Sequence, residues 1–86
     1  MNEPRESLQE LEGKLREILA SRFPHINLRD DVLVFPGEEM SSLDLVELAI
    51  ELEHEFGVKF RLAEISEKSF ANISSMAQVL AAAKAR

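Results

Sequence analysis

Few side chains in this 86-residue chain could do chemistry. They are two histidines, His25 and His54, two adjacent serines, Ser41 and Ser42, and many carboxylates. Neither histidine has a second His or a Cys at ligand spacing, so no metal site is expected. His54 falls near the end of an expected helix, where an imidazole simply interacts with the helix dipole. Nothing implies a pocket that would raise a carboxyl pKa for acid–base work. There is no G-x-S-x-G and no P-loop, and three glycines leave little means of shaping a small-molecule site. Intrinsic enzyme activity is not expected. The serine pair is the unusual feature. It stands where an irregular loop gives way to an acidic helix. One serine there is a good N-cap. A hydroxyl at that point is also well placed to be displayed for modification, because a phosphodiester would face the orphan N–H groups of the first turn.

The elements that must position these groups can be read from the apolar spacing. Leu8, Leu11, Leu15, Ile18 and Leu19 form one stripe of an amphipathic helix. Ser7 with Glu10 forms a capping box for it, with Pro4 as an alternative start, and Pro24 marks its end. Residues 23–41 hold Pro24, Pro36 and Gly37 and show no clean period, so they read as a long ordered loop. Ile26, Leu28, Val32, Leu33 and Phe35 are too apolar to hang in water, and several should tuck onto the core. A strand at Val32–Phe35 is disfavoured by the aspartates before it, the Pro-Gly after it and the lack of a pairing partner. A second helix is expected from Ser42 to Phe56, with Gly57 as the residue after its end. A short helical element is expected within 61–71, and a last helix from Ser74 or Ser75, where Ser75 and Gln78 make another capping-box pattern.

The second helix has more apolar surface than one core can use. At about 100° per residue, Leu45, Leu48, Ala49, Leu52 and Phe56 fall in one sector, and Leu43, Val46 and Ile50 fall roughly 140° away. The second stripe is flanked by Asp44, Glu47 and Glu51. Either the long loop covers it, or it stays partly exposed in an acidic frame, which is the form of a protein-docking site.

Charge and composition bound the class. Sixteen acids against ten bases give a net charge of −6, which argues against a nucleic-acid partner. Residues 30–58 hold nine acids and no Lys or Arg, so that segment carries −9 while the rest sums to +3. Such asymmetry suits a basic partner. Absence of cysteine excludes disulfides, thiolate zinc sites and a cysteine nucleophile. No apolar run approaches the length of a membrane span, and the start MNEPRES lacks the pattern of a signal peptide. One soluble, cytoplasmic, monomeric domain over residues 1–86, with its core at about 7–83, is the expectation.

The stretch from Phe35 to Val58 resembles the acyl carrier protein signature. That signature is an Asp-Ser-Leu at the start of helix two, a run like Asp-x-Val-Glu-Leu, and an acidic Leu-Glu-x-Glu-Phe-Gly ending. Ser42 and Leu43 match its Ser-Leu, and Asp44, Val46, Glu47, Leu48, Leu52, Glu53, Phe56 and Gly57 match the remainder of the signature. Residues 64–73 resemble the short third helix of stand-alone carriers and the loop after it.

The resemblance implies an all-α fold, a small four-helix bundle of three main helices plus one short helix with a long first loop. It implies a non-catalytic carrier of acyl or aminoacyl groups, held as thioesters on a 4′-phosphopantetheine arm that a phosphopantetheinyl transferase attaches to Ser42. It further implies docking of the acyl-handling enzymes of fatty-acid, polyketide or related biosynthesis, through basic patches, onto Leu43, Asp44, Val46, Glu47, Ile50, Glu51 and Glu53. Two departures stand out. Ser41 replaces the usual Asp, and Glu38, Glu39 and Met40 separate Gly37 from the serines. The spacing leans toward a specialised carrier, and Ser41 keeps open an unmodified carrier-like interaction module.

Overall fold

A computed structural model describes residues 7–35, 37 and 40–85. Pro4, Pro36, Glu38 and Glu39 lie outside them. The described chain runs α1 (Leu8–Arg22), β1 (Asn27–Arg29), β2 (Val32–Val34), α2 (Ser42–Phe56), a single 3-10 turn (Leu62–Glu64) and α3 (Ile73–Ala85). Three main helices are present as expected; the short fourth is only this 3-10 turn, and a two-stranded sheet joins a fold expected to be all-α.

Helix α1 begins with the expected capping box. The Glu10 N–H donates to Ser7 Oγ at 3.2 Å, and the Ser7 N–H donates to Glu10 Oε1 at 3.0 Å. It ends one residue before Phe23, whose N–H still reaches the Leu19 carbonyl, and Pro24 cannot continue the ladder. Leu11, Leu15 and Leu19 are its buried stripe. Leu48, Ala49 and Leu52 of α2 and Met76, Ala77 and Leu80 of α3 close the core against them. A fully buried leucine or methionine contributes about 1.5–3 kcal/mol of transfer free energy, so these three short stripes supply most of the packing a small domain has available.

Two expectations need correction. The segment after α1 is not wholly loop. Asn27–Arg29 and Val32–Val34 pair as an antiparallel hairpin in the register Asn27 with Val34, Leu28 with Leu33 and Arg29 with Val32. The partner that Val32–Phe35 lacked is thus the segment just before it. The two aspartates between the strands, which argued against a strand, are its turn. Asp30 and Asp31 have φ of 53° and 64°, and positive φ at both central residues is the two-residue turn that matches strand twist. Asp tolerates that conformation better than most residues with a Cβ. Leu33 points inward and is buried, while Val32 and Val34 stay exposed. Ile26 and Phe35 are buried as expected.

The second correction concerns the start of α3. It begins at Ile73, and its cap is Asn72, whose Oδ1 accepts from the Ser75 N–H at 2.7 Å. Ser75 is not the cap, and the Gln78 amide instead reaches Ser74 Oγ at 3.4 Å. The difference follows from the hairpin. The Leu33 N–H donates to the Ala71 carbonyl at 3.0 Å and the Ile73 N–H to the Asp31 carbonyl at 2.8 Å, so the chain before α3 is fixed as an extended neighbour of β2.

The hairpin is also tied to α1. Arg16 Nε donates to Asp31 Oδ1 at 3.0 Å and Arg16 Nη2 to Asp31 Oδ2 at 2.7 Å, a two-pronged geometry. The hydrogen bond from Arg16, with desolvation opposing it and the Arg16 charge adding to it, holds the Asp31 carboxyl below its ordinary value. The folded-state pKa therefore lies below the unfolded value of about 3.9. The stabilisation is complete above that value and is lost as pH falls through the lower, folded-state one. Asp31→Asn keeps the tolerance for positive φ and removes the charge. In thermal melts from about pH 7 to about pH 3, the wild-type Tm should fall further than that of Asp31→Asn. Parallel curves would show that the pair contributes nothing.

Candidate functional site

Both serines sit at the start of α2, and their hydroxyls have different tasks. Ser41 is the N-cap. The Asp44 N–H donates to its Oγ at 3.1 Å, while its own N–H and O–H both donate to Asp44 Oδ2, at 3.1 and 2.9 Å. This is a reciprocal capping box with aspartate in the place glutamate often takes. Ser42 is the first helical residue and is exposed, and its hydroxyl makes no hydrogen bond among the described residues. The free N–H groups of the first turn and the positive end of the helix dipole lie beside it, which favours an anion there.

The other end of α2 is closed as expected. Gly57 is left-handed, with φ 65° and ψ 37°, and the N–H groups of Gly57 and Val58 both turn back to the Glu53 carbonyl. The Glu53 carboxylate accepts from the Phe60 N–H at 2.9 Å and so holds the chain leaving the helix. Phe60 then meets Phe70 edge-on at 5.7 Å.

Between these ends the two apolar sectors separate. Leu48, Ala49 and Leu52 are buried, and Leu45 and Phe56 pack half-buried against them. Leu43, Val46 and Ile50 are 66%, 47% and 59% exposed, so the loop does not cover the second stripe. Leu62, on the 3-10 turn, is 88% exposed. Nothing in the sequence singles it out, because one leucine in a short polar segment has no periodic neighbours to mark it.

The acids around the stripe are not all solvated. Asp44 is committed to the cap and Glu53 to the Phe60 N–H. Arg22, at the end of α1, pairs with Glu51 through Nη1 and with Glu55 through Nη2, the latter at 2.6 Å. Glu47 is exposed and makes no hydrogen bond or ion pair among the described residues. The acid-rich segment thus draws two bases, Arg16 and Arg22, from α1. Sequence spacing carries no sign of this, since Arg22 and Glu51 lie 29 residues apart. Among the described residues no group of three or more His, Cys, Asp or Glu side chains could hold a metal ion, and no helix is long and apolar enough to cross a membrane.

The fold and this site define a class: a small helical protein that displays one uncommitted hydroxyl at a helix start, next to an exposed apolar stripe. The family of phosphopantetheine attachment sites matches residues 9–80, and the chain belongs to that family. Comparison with curated proteins and with solved structures returns no match. Members of the family hold 4′-phosphopantetheine covalently and are carriers rather than catalysts, so the chain is an acyl-carrier-like protein and not an enzyme.

The division between the serines can be measured. Removing an N-cap hydroxyl typically costs about 1 kcal/mol, within a range of roughly 0.5–2. Ser41→Ala should lose that much stability in urea unfolding, and Ser42→Ala only a few tenths. The reverse order would move the cap to Ser42 and undo the assignment.

Proposed function

We propose that Ser42 is the attachment point of the phosphopantetheine arm, and that the chain carries acyl or aminoacyl intermediates for a dedicated biosynthetic pathway. The observation that carries the choice of serine is the hydroxyl inventory at the start of α2. Ser41 Oγ is held in the capping box, whereas Ser42 Oγ is exposed and unengaged among the described residues. A transferase needs a hydroxyl it can approach and deprotonate. Using Ser41 would open the helix start, while using Ser42 leaves it intact. When bound, the arm supplies the thiol on which cargo rides as a thioester, chemistry that a chain without cysteine cannot itself provide.

The chain's own residues hold and present. The N–H groups of Ser42 and Leu43, without a partner among the described residues, would favour the phosphodiester. Leu43, Val46 and Ile50 offer partner enzymes an apolar face within the carboxylates of α2. Residues 1–86 act as one carrier unit, monomeric and working among cytoplasmic enzymes with basic docking patches, the transferase among them. The separation of Gly37 from the serines by Glu38, Glu39 and Met40 supports a specialised pathway over fatty-acid synthesis. The lack of an acid immediately before Ser42 favours a second reading, an unmodified interaction module.

Intact mass separates the two. After incubation with coenzyme A and a broad-specificity phosphopantetheinyl transferase, the wild type should gain about 340 Da. Ser41→Ala should gain it as well, and Ser42→Ala should gain nothing. Unchanged mass of the wild type would favour the interaction module, and full labelling of Ser42→Ala would displace the site.

A further inference from the structure

At about 100° per residue, Leu43, Val46, Glu47 and Ile50 share one sector roughly 100° wide. Glu47 forms its edge on the Glu51 side, one turn after Leu43, and the exposed His54 falls between Leu43 and Glu47. Glu51 and Glu55 lie on the flank facing α1, and Glu53 lies on the opposite flank. The flanking acids are the ones with internal partners. Arg22 forks to Glu51 and Glu55, and the Phe60 N–H binds Glu53. The side chains of Glu51 and Glu55 are 22% and 31% exposed, and that of Arg22 is 48% exposed. An incoming basic side chain would have to displace a cation already in place. An exchange of one guanidinium for another gains little, because each ion pair made replaces one broken.

We propose that Arg22 masks Glu51 and Glu55, so that partners read α2 through the apolar stripe and the single uncommitted carboxylate of Glu47. The partner this surface fits sets an apolar patch on the stripe and one basic side chain of its docking patch opposite Glu47. Arg22 is then a specificity-determining residue, although it stands on another helix and outside the stripe. It weakens the pull that Glu51 and Glu55 exert on a basic partner, a form of recognition by what is withheld. The inference rests on the reading of α2 as the docking helix, and it narrows that reading to particular groups.

The probe is the same broad-specificity transferase with a fluorescent coenzyme A analogue, read as kcat/KM at low and at moderate salt. Arg22→Gln should raise kcat/KM about threefold at low salt, through KM, because it frees two carboxylates that steer a basic enzyme. Arg29→Gln is the control. It removes the same charge from an exposed hairpin residue that has no ion pair among the described residues, and it should raise kcat/KM by less than half as much. In Arg22→Gln/Glu51→Gln/Glu55→Gln the gain should vanish. Glu47→Gln should lower kcat/KM at least threefold further than Glu51→Gln does, a contrast that holds even if the Arg22 variant proves unfolded by circular dichroism. A gain for Arg22→Gln no larger than for Arg29→Gln, a gain surviving in the triple variant, or equal losses for Glu47→Gln and Glu51→Gln would each overturn the masking. If the wild type itself is not labelled, the carrier reading fails and takes this inference with it.

Discussion

Asp31 is the residue on which three separate parts of the molecule converge. Its backbone takes the left-handed conformation that lets β1 turn into β2 in two residues. Its carbonyl accepts the N–H of Ile73, the first residue of α3, and its carboxylate takes both prongs of Arg16 from α1. The turn conformation sets where the carbonyl and carboxylate point, so all three connections depend on it. Because the hairpin is fixed to both helices, Leu33 and Phe35 are buried at defined places. A loop with the same apolar content but no such anchor would have to order itself by burial alone, against about 1–2 kcal/mol of backbone entropy per residue.

The same economy appears on α2. A 15-residue helix has to pack against the core, start and stop cleanly, and leave one face open. It divides these tasks by position around its axis. Leu48, Ala49 and Leu52 face inward, Asp44 and the Glu53 carbonyl close the two ends, and Glu51 and Glu55 fasten the helix to α1. The sector of Leu43, Val46, Glu47 and Ile50 is left for the outside. The apolar groups there are exposed because the inward face is already filled. Of the acids that frame them, Glu51 and Glu55 are paired with Arg22, and Asp44 and Glu53 accept hydrogen bonds from within the chain.

Where local pattern decides the structure, the sequence was legible. The capping box of Ser7 and Glu10, the span of α2 with Gly57 after it, and the two apolar sectors of that helix all depend on residues within a few positions of one another. The hairpin was missed because its signal is three residues per strand and its turn is Asp-Asp, without the glycine that usually marks such a turn. The cap of α3 was misplaced because Asn72 is recruited by a contact with β2, which lies some forty residues earlier. The partners of Glu51 and Asp31 come from α1, and no local count of charges can place them. The acid run from 30 to 58 reads as one continuous field in the sequence, and among the described residues folding divides it into capping, clamping and two exposed carboxylates without a partner, Asp30 and Glu47.

The serine pair shows why that division matters for function. A hydroxyl that caps a helix accepts from a backbone N–H, and its rotamer is fixed by that bond. A hydroxyl that is to receive a bulky phosphodiester has to be free of such a bond, or its modification would fray the helix that partners recognise. A single serine at a helix start cannot satisfy both conditions. Here the capping task falls to Ser41, reinforced by Asp44, and the adjacent hydroxyl is left unengaged among the described residues. The substitution of serine for the expected acid before Ser42 is therefore compatible with attachment. It keeps a side chain that can cap, and the Asp44 carboxylate, 2.9 Å from Ser41 Oγ, keeps a negative charge at the same helix start.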